Sequence, residues 1–559
     1  MQRVLLRTLG SILLGFGCVW LLLMGYLAMT PQRRDPYLEI LPRVEEDFFE
    51  GNVNGAVNIL HSDGSPSVQY TQMVRVMSSS VDTLHEYLTA KLNLINRLIE
   101  KDEDKTSIQG HLYDVLREGR EQLSHMVTGM KKLQESDGFH TWRQKTSRDL
   151  GALVQRRLQF LQNPEDCAKA KKIVCTLDKE CGFGCQMHHL VYCLATAYET
   201  ERTLILNSKG WRYASDGWET VFRPLSNTCT DDSGSSRAKW GGTNHRNDTQ
   251  VIDLPILDIV KPLPRSLPLA VPEDILRDLR LVHGNPAVWW VGQLARYLFR
   301  LQPKTRNYIS GAARKLNFHG IVVGVHIRRT DKITTKEATR HELDEYMSFV
   351  EDYQQMTQFS RPAHLPRVYL ATDDPDVVAE ARRKYPQYRF LNDLSTSKSA
   401  SEETRYSEAS LLGIIMDTYF LSRTNFLVCT FSSQVCRLAY ELMQTHHTDA
   451  SAQYRSLDDT WYFGGGSHQL REILLAHIPL KDGNGELKLE PGDLVYSAID
   501  NHNGYSNAKS LKTGEIGLFP SYKGIWASKS VKLPTYPNAT FVDHAKFSTS
   551  NASNVKSEK

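Results

Sequence analysis

Three apolar runs constrain this fold most: VVGVHIRR at 322–329, RVYLATDD at 367–374 and FLVCTFSS at 426–433. Each is short, nearly free of internal polar residues, and followed by a polar turn and a helical pattern. A run without alternation reads as a strand buried on both faces, and strands alternating with helices predict a parallel sheet layered between helices. Ligands bind beyond the carboxyl ends of such strands. Arg328, Asp373 and Ser433 are therefore expected to converge at one edge. Side-chain alternation sends His326 and Arg328 to one face and Ile327 and Arg329 to the other. One arginine then faces a pocket while its neighbour braces a wall, although an ion pair with Asp331 accounts equally well for an arginine here.

A chain of 559 residues with 41% hydrophobic content is large enough for several domains. Its net charge of +3 gives no basic stripe of the kind a dedicated nucleic-acid binder needs. No charge occurs between Arg7 and Arg33, a length that crosses a bilayer, so 9–29 is predicted to be a transmembrane signal anchor behind a cytoplasmic tail at 1–8. A cleaved signal peptide is the alternative, but its apolar region is usually shorter. Of nine cysteines, Cys18 lies in that span, six fall between Cys167 and Cys229, and the others are Cys429 and Cys436. An even, clustered set outside the membrane fits disulfides in an oxidising compartment. Zinc is the rival at CGFGC, where the spacing is three residues rather than the commoner two. With sequons at Asn247, Asn538 and Asn551, the pattern predicts a single-pass type II membrane protein with a lumenal body.

Residues 30–70, rich in Pro, Gly, Asn and Ser, read as a stem. In 71–135, Val81, Leu84, Leu88, Leu92, Ile95 and Ile99 recur at helical spacing, as do Leu112, Leu116, Leu123, Met126, Met130 and Leu133. They predict a coiled coil or helical hairpin, either packed on the parent domain or holding a homodimer together. Residues 136–310 read as a first α/β lobe carrying the cysteine cluster, 311–475 as a Rossmann-type nucleotide-binding lobe, 476–530 as a small β-barrel and 531–559 as a polar tail.

Arg328 suits an anionic nucleotide, because guanidinium stays charged and its planar fork matches phosphate oxygens. In CTFSSQVC a strand runs through Ser432 and Ser433 into a helix, placing hydroxyls and free amides at a helix N-terminus, where phosphate binds well. No kinase-type phosphate loop is present. DPD at 374–376 resembles a metal-binding DxD, but a helix N-cap after TDDP explains it better. Without a metal, the charge of a departing diphosphate falls to Arg328 and Lys332.

VGVHIRRTDK, YLATDDP, FLVCTFSSQVCR, SLDDTWYFGG, LAVPEDILRDLRLVHGNPAVWWV and CGFGCQMHHLVYC together closely resemble the α1,6-fucosyltransferase family, the core fucosyltransferases of N-glycans. The resemblance implies a Golgi enzyme that moves L-fucose from GDP-fucose, with inversion and without divalent metal, to the 6-hydroxyl of the asparagine-linked GlcNAc of glycoproteins. It implies a GT-B-like catalytic region with a Rossmann-type lobe and a C-terminal SH3-like barrel. It also implies roles: His326 and Asp417 on guanine, Tyr213 on ribose, Arg328 and Ser433 on diphosphate, and Arg329 as a brace. The catalytic base falls on Glu337 beside Lys332, in a loop one residue longer than the family pattern, where Lys336 is the neighbouring register; a carboxylate is the better base. Lys179, Asp258, Asp373, Asp458, Asp459 and His502 become acceptor contacts, and Trp461 and Tyr462 are either sugar-stacking rings or aromatics of the core. The implied disulfides are Cys167–Cys229, Cys175–Cys193, Cys181–Cys185 and Cys429–Cys436. A glycan-binding scaffold with an inert catalytic lobe, and a transferase using another nucleotide donor, are the competing readings.

Overall fold

All six residues of Val322–Ile327 are buried, as an uninterrupted apolar run requires, and they form the middle strand of a five-stranded sheet. Its order is Tyr454–Ser456, Phe426–Cys429, Val322–Ile327, Arg367–Thr372 and Arg389–Leu391, with every pairing parallel. The structure, a computed structural model, describes residues 66–100, 108–242, 248–267, 270–329, 338–358, 365–400, 404–464, 469–479 and 485–539. The expected anchor, most of the expected stem, Asp331, Lys332, Glu337, Asn247 and Asn551 lie outside these residues. Among the described residues, no helix is long and apolar enough to cross a membrane.

A second parallel sheet, ordered Thr203–Asn207, Lys172–Thr176, Val251–Asp253 and Arg237–Lys239, organises the cysteine-rich half. The cysteines pair as Cys167–Cys229, Cys175–Cys193, Cys181–Cys185 and Cys429–Cys436, the pairing that the family resemblance implies. CGFGC thus spends both sulfurs on one disulfide, which leaves no thiolates for zinc.

The two parallel sheets share one apolar core, contributed by helices His140–Gln162, Phe183–Glu199, Pro286–Leu298, Glu408–Leu421 and Gln434–Met443. Two glycines let the helices meet closely. A Cβ on Gly292 would lie 2.2 Å from the Glu441 carbonyl oxygen, and one on Gly184 would lie 2.7 Å from the backbone of Gln434 and Val435. Across the same seam the His188 ring sits 3.0 Å from both Glu441 carboxylate oxygens, and the Trp461 indole donates to Glu441 over 2.9 Å.

Helices Val68–Glu100 and Ile108–Ser136 pack on one another and on the body. Arg75 pairs with Asp449 at 3.0 Å, Glu86 with Arg455 at 2.8 Å, and the Thr128 hydroxyl donates to the Met356 carbonyl over 2.9 Å. An antiparallel sheet follows, ordered Ile516–Pro520, Tyr505–Ser510, Leu494–Asp500, Leu470–Ile473 and Gly524–Ala527.

Two expected boundaries need correction. Leu470–Ile473 pairs with the antiparallel strands rather than ending the nucleotide lobe at 475, because Ile473 is buried in their core. The polar tail expected from 531 begins later: Lys529–Val531 pairs in parallel with Ala270–Pro272, Leu533 and Tyr536 enter the main core, and the Tyr536 hydroxyl donates to the Tyr198 carbonyl over 2.7 Å. In both places only tertiary partners, strands distant in the sequence, reveal which unit the residues join.

The helix seam gives a direct test. Gly292→Ala must displace the Gln434–Met443 backbone and should destabilise the protein by about 3 kcal/mol in chemical denaturation; stability equal to that of the wild type would mean the seam is loose.

Candidate active site

Register and pleat together build the site. Gly324 lies opposite Tyr369 and His326 opposite Ala371, and the same period places Arg328 level with Asp373. The carboxyl edge carries the charge. Arg328 donates through Nη1 to Asp373 Oδ2 at 2.6 Å, and the Arg329 backbone N–H donates to Asp373 Oδ1 at 2.9 Å. Asp373, with a side chain only 3% exposed, therefore orients both arginines. The Arg329 side chain turns to the opposite face, 3.1 Å from Glu342, 3.7 Å from Glu380 and 3.9 Å from Asp374. The two side chains part as alternation requires, and Asp373 is the observed partner of Arg328. DPD caps a helix: Asp374 accepts from the Asp376 N–H at 3.0 Å and Pro375 occupies the first turn of Pro375–Lys384.

His326 is buried, and its Nδ1 has no hydrogen-bond partner among the described residues. Burial, reinforced by the Arg328 charge and opposed by Asp373, pushes the imidazole down to about 4. Asp417, on helix Glu408–Leu421, is also buried and accepts from the Tyr369 hydroxyl at 2.6 Å. Burial pushes its carboxyl up to about 7; the Tyr369 bond pulls it back and the Asp393 charge adds to the rise.

Ser433 caps helix Gln434–Met443 by position, but its hydroxyl makes no bond to the helix, and the Ser432 hydroxyl is buried without a partner among the described residues. The Cys429–Cys436 bridge ties the end of the strand to the first turn of that helix. From the other sheet comes Tyr213, whose hydroxyl accepts from the Phe183 N–H at 3.0 Å and whose ring lies 5.1 Å from that of Tyr406. Arg212 stacks 3.9 Å over the Tyr406 ring. Burial raises the Tyr213 phenol to about 12, and the Arg405 and Arg328 charges oppose that rise.

The expected acceptor contacts divide. Lys179 and Asp258 pair with each other at 2.5 Å. Asp458 turns inward to accept the N–H groups of Phe431 at 2.7 Å and Asp459 at 2.6 Å, so it braces the loop that presents Ser432 and Ser433. Asp459 bridges to Ile499 of the antiparallel sheet. His502 reaches the Ser456 carbonyl through Nε2 at 2.7 Å, which binds that sheet to the loop carrying Asp458. Trp461 is only 1% exposed and bonded to Glu441, so it is a core residue rather than a sugar-stacking ring; Tyr462 lies under the Arg437 guanidinium at 3.7 Å.

Two clusters bring potential metal ligands together among the described residues. Cys175 and Cys193 beside His189 are bonded to each other, while Glu86 and Asp500 beside His502 are engaged by Arg455 and Arg471. Sequence reasoning missed Tyr369 and Glu441. Period two from Asp373 points to Tyr369, whereas nothing local marks Glu441 as the partner of His188 and Trp461.

Residues 33–462 match the family described as alpha-(1,6)-fucosyltransferase N- and catalytic domains. A curated relative from Drosophila melanogaster, named alpha-(1,6)-fucosyltransferase, is 44% identical over 476 residues, covering 85% of this chain and 76% of its own. One of the same name from Caenorhabditis elegans is 40% identical over 397 residues, covering 70% of each chain. A solved Bradyrhizobium fucosyltransferase is 13% identical and covers 49% of this chain and 93% of its own, but its TM-score of 0.32 is too low to bear on fold or chemistry.

His326 and Asp417 make opposite contributions to stability. The depressed histidine favours the fold above the ordinary imidazole value and loses that as pH falls towards about 4; the raised carboxyl favours the fold below the ordinary carboxyl value and loses that as pH rises towards about 7. Asp417→Asn removes only the second contribution. Its melting temperature relative to wild type should rise between about pH 4 and 7, and a pH-independent difference would show that Asp417 ionises freely.

Proposed function

Because the chain belongs to the alpha-(1,6)-fucosyltransferase family, we propose that it transfers L-fucose from GDP-fucose, with inversion, to the 6-hydroxyl of the asparagine-linked GlcNAc of N-glycoproteins. The observation that carries this reading is the carboxyl edge itself: Arg328, oriented by Asp373, follows one strand, and the buried His326 Nδ1 on that strand and the Ser432 hydroxyl after the neighbouring strand have no partner among the described residues. A guanine nucleotide offers complementary groups, since N1–H and the exocyclic amine donate together to a carboxylate such as Asp417. Its diphosphate suits Arg328 and the Ser433 end of helix Gln434–Met443.

In this reading Glu337 takes the proton of the 6-hydroxyl as its oxygen attacks the fucose anomeric carbon from the face opposite the diphosphate. The bond from that carbon to the β-phosphate oxygen breaks, and GDP leaves with the electron pair. Arg328 stabilises the charge that develops on the leaving oxygen, and Lys332 adds positive charge beside the base. These cations do the work a divalent metal does elsewhere, so the proposed reaction is metal-free. Tyr213 supports the ribose, Arg329 braces the arginine pair, and Lys179, Asp258, Asp373, Asp459 and His502 face the acceptor side.

The same proposal extends to architecture: a GT-B-like catalytic region, an SH3-like barrel at the antiparallel sheet, and a Golgi enzyme anchored through 9–29 with its catalytic region lumenal. The cysteine pairing and the uncharged span support that placement. A homodimer through the two long helices is supported by exposed apolar residues along them, Met73, Met77 and Leu84 on one and Met126 and Leu133 on the other. Met77→Glu with Leu133→Glu should yield a monomer by light scattering, and a persistent dimer would move the interface elsewhere.

Mass spectrometry of a GlcNAc-terminated biantennary glycopeptide incubated with GDP-fucose and excess EDTA tests the reaction. Fucose should appear on the innermost GlcNAc, with Arg328→Ala and Glu337→Gln each lowering kcat/KM by about 100-fold or more. Loss of transfer by the wild type in EDTA would overturn the metal-free scheme, and fucose on another residue would overturn the acceptor assignment.

A further inference from the structure

Tyr369 is fully buried, and its ring is fixed between Phe318 at 5.8 Å and Phe420 at 5.1 Å. Its hydroxyl has one hydrogen-bond partner among the described residues, Asp417 Oδ1. Gly324 lies opposite it in the sheet, where a Cβ would stand 2.8 Å from the Thr424 hydroxyl, and Ala371 is the next residue on its face. Small residues thus flank Tyr369 in the sheet, with Thr424 and Leu421 packed against Gly324. The tyrosine sits below the proposed base site with its only polar atom aimed at the carboxylate assigned to the base.

We propose that Tyr369 is a positioning residue for nucleotide-base recognition: its hydroxyl holds Asp417 as an ionised acceptor for the N1–H and exocyclic amine of guanine. This rests on the donor assignment made above. Three groups face Asp417 from three elements: Tyr369 from its strand, Tyr308 from helix Pro303–Leu316, and Asp393 from the cap of Leu394–Ser399. Burial and Asp393 both oppose ionisation of Asp417, and the Tyr369 bond alone among these favours it. A protonated Asp417 would turn an O–H towards the two guanine donors and lose the match. Without the tyrosine hydroxyl, the carboxyl remains protonated to higher pH.

The experiment is calorimetric titration of GDP-fucose into wild type and Tyr369→Phe across about pH 5 to 9. The phosphates of this donor do not titrate over that range and its guanine N1–H begins to ionise only at the alkaline end, so a midpoint below that end belongs to the protein. Wild type should lose affinity on acidification through about 7. Tyr369→Phe should bind about tenfold more weakly at neutral pH and show its midpoint about one unit higher. A merely structural tyrosine would lower the melting temperature while leaving the midpoint in place, and that result overturns the inference. If the variant does not fold, the wild-type profile decides, since pH-independent affinity overturns the inference equally. Wild type that binds no GDP-fucose at any pH would overturn the donor assignment itself, and the role of Tyr369 with it.

Discussion

The helix Gln434–Met443 is the piece on which the rest of the structure depends. Its first turn lies at the carboxyl edge of one parallel sheet, and its flank is pressed by Gly184 and Gly292 from helices of the other half at distances no larger residue allows. Glycine removes the steric barrier but gives no direction. Direction comes from Glu441, fully buried, which meets His188 from one side and Trp461 from the other. A buried carboxylate without such partners costs several kcal/mol, so sliding the helix is strongly opposed. The N-terminus of the helix is thereby held at one place relative to Tyr213 and Phe183, which reach the seam from the cysteine-rich half.

Asp373 performs the equivalent task at the strand ends. One oxygen takes Arg328 and the other takes the backbone of Arg329, so a single carboxylate sets the position of two adjacent cations. Once it does, the pleat sends the two side chains apart. Arg329 enters a nest of acids on helices and turns behind the sheet, and Arg328 remains at the edge. A guanidinium fixed in advance loses little further freedom when an anion arrives, which is the advantage of preorganisation. Asp458 orders the neighbouring loop in the same way, by collecting the backbone N–H groups of Phe431, Ser432 and Asp459.

Much of this was legible because it depends on local pattern. VVGVHI, RVYLAT and FLVC are legible as strands because they are short, β-branched apolar runs bounded by polar turns, and the levels of His326, Arg328 and Asp373 follow from period two. The cap at Asp374 was legible for the same reason. What was illegible depends on distant partners. Trp461 and Tyr462 are adjacent aromatics in one motif, yet the first is sealed in the core by Glu441 and the second lies under Arg437. Asp458 and Asp459 are identical neighbours, yet the first collects backbone donors of its own loop and the second bridges to Ile499 of the antiparallel sheet. Leu533 and Tyr536 sit in a polar stretch, and their burial depends on a strand pairing with Ala270–Pro272, more than 250 residues earlier.

On the donor assignment proposed above, the two buried titrating groups have a common use. In the free protein His326 is held neutral by burial, with Nδ1 unsatisfied, and Asp417 ionises only with difficulty despite Tyr369. Each carries an unfavourable solvation term that water cannot relieve, because both are buried. A ligand relieves both only if it brings a donor pair to Asp417 and a polar edge to His326. Its anionic end must at the same time meet Arg328 and the helix terminus one strand further out. A purine bearing N1–H and an exocyclic amine, joined to a diphosphate, has those groups in that order. Under that assignment the solvation cost carried by His326 and Asp417 is a source of discrimination: a base lacking the donors leaves Asp417 unserved, and its phosphates alone do not make up the difference.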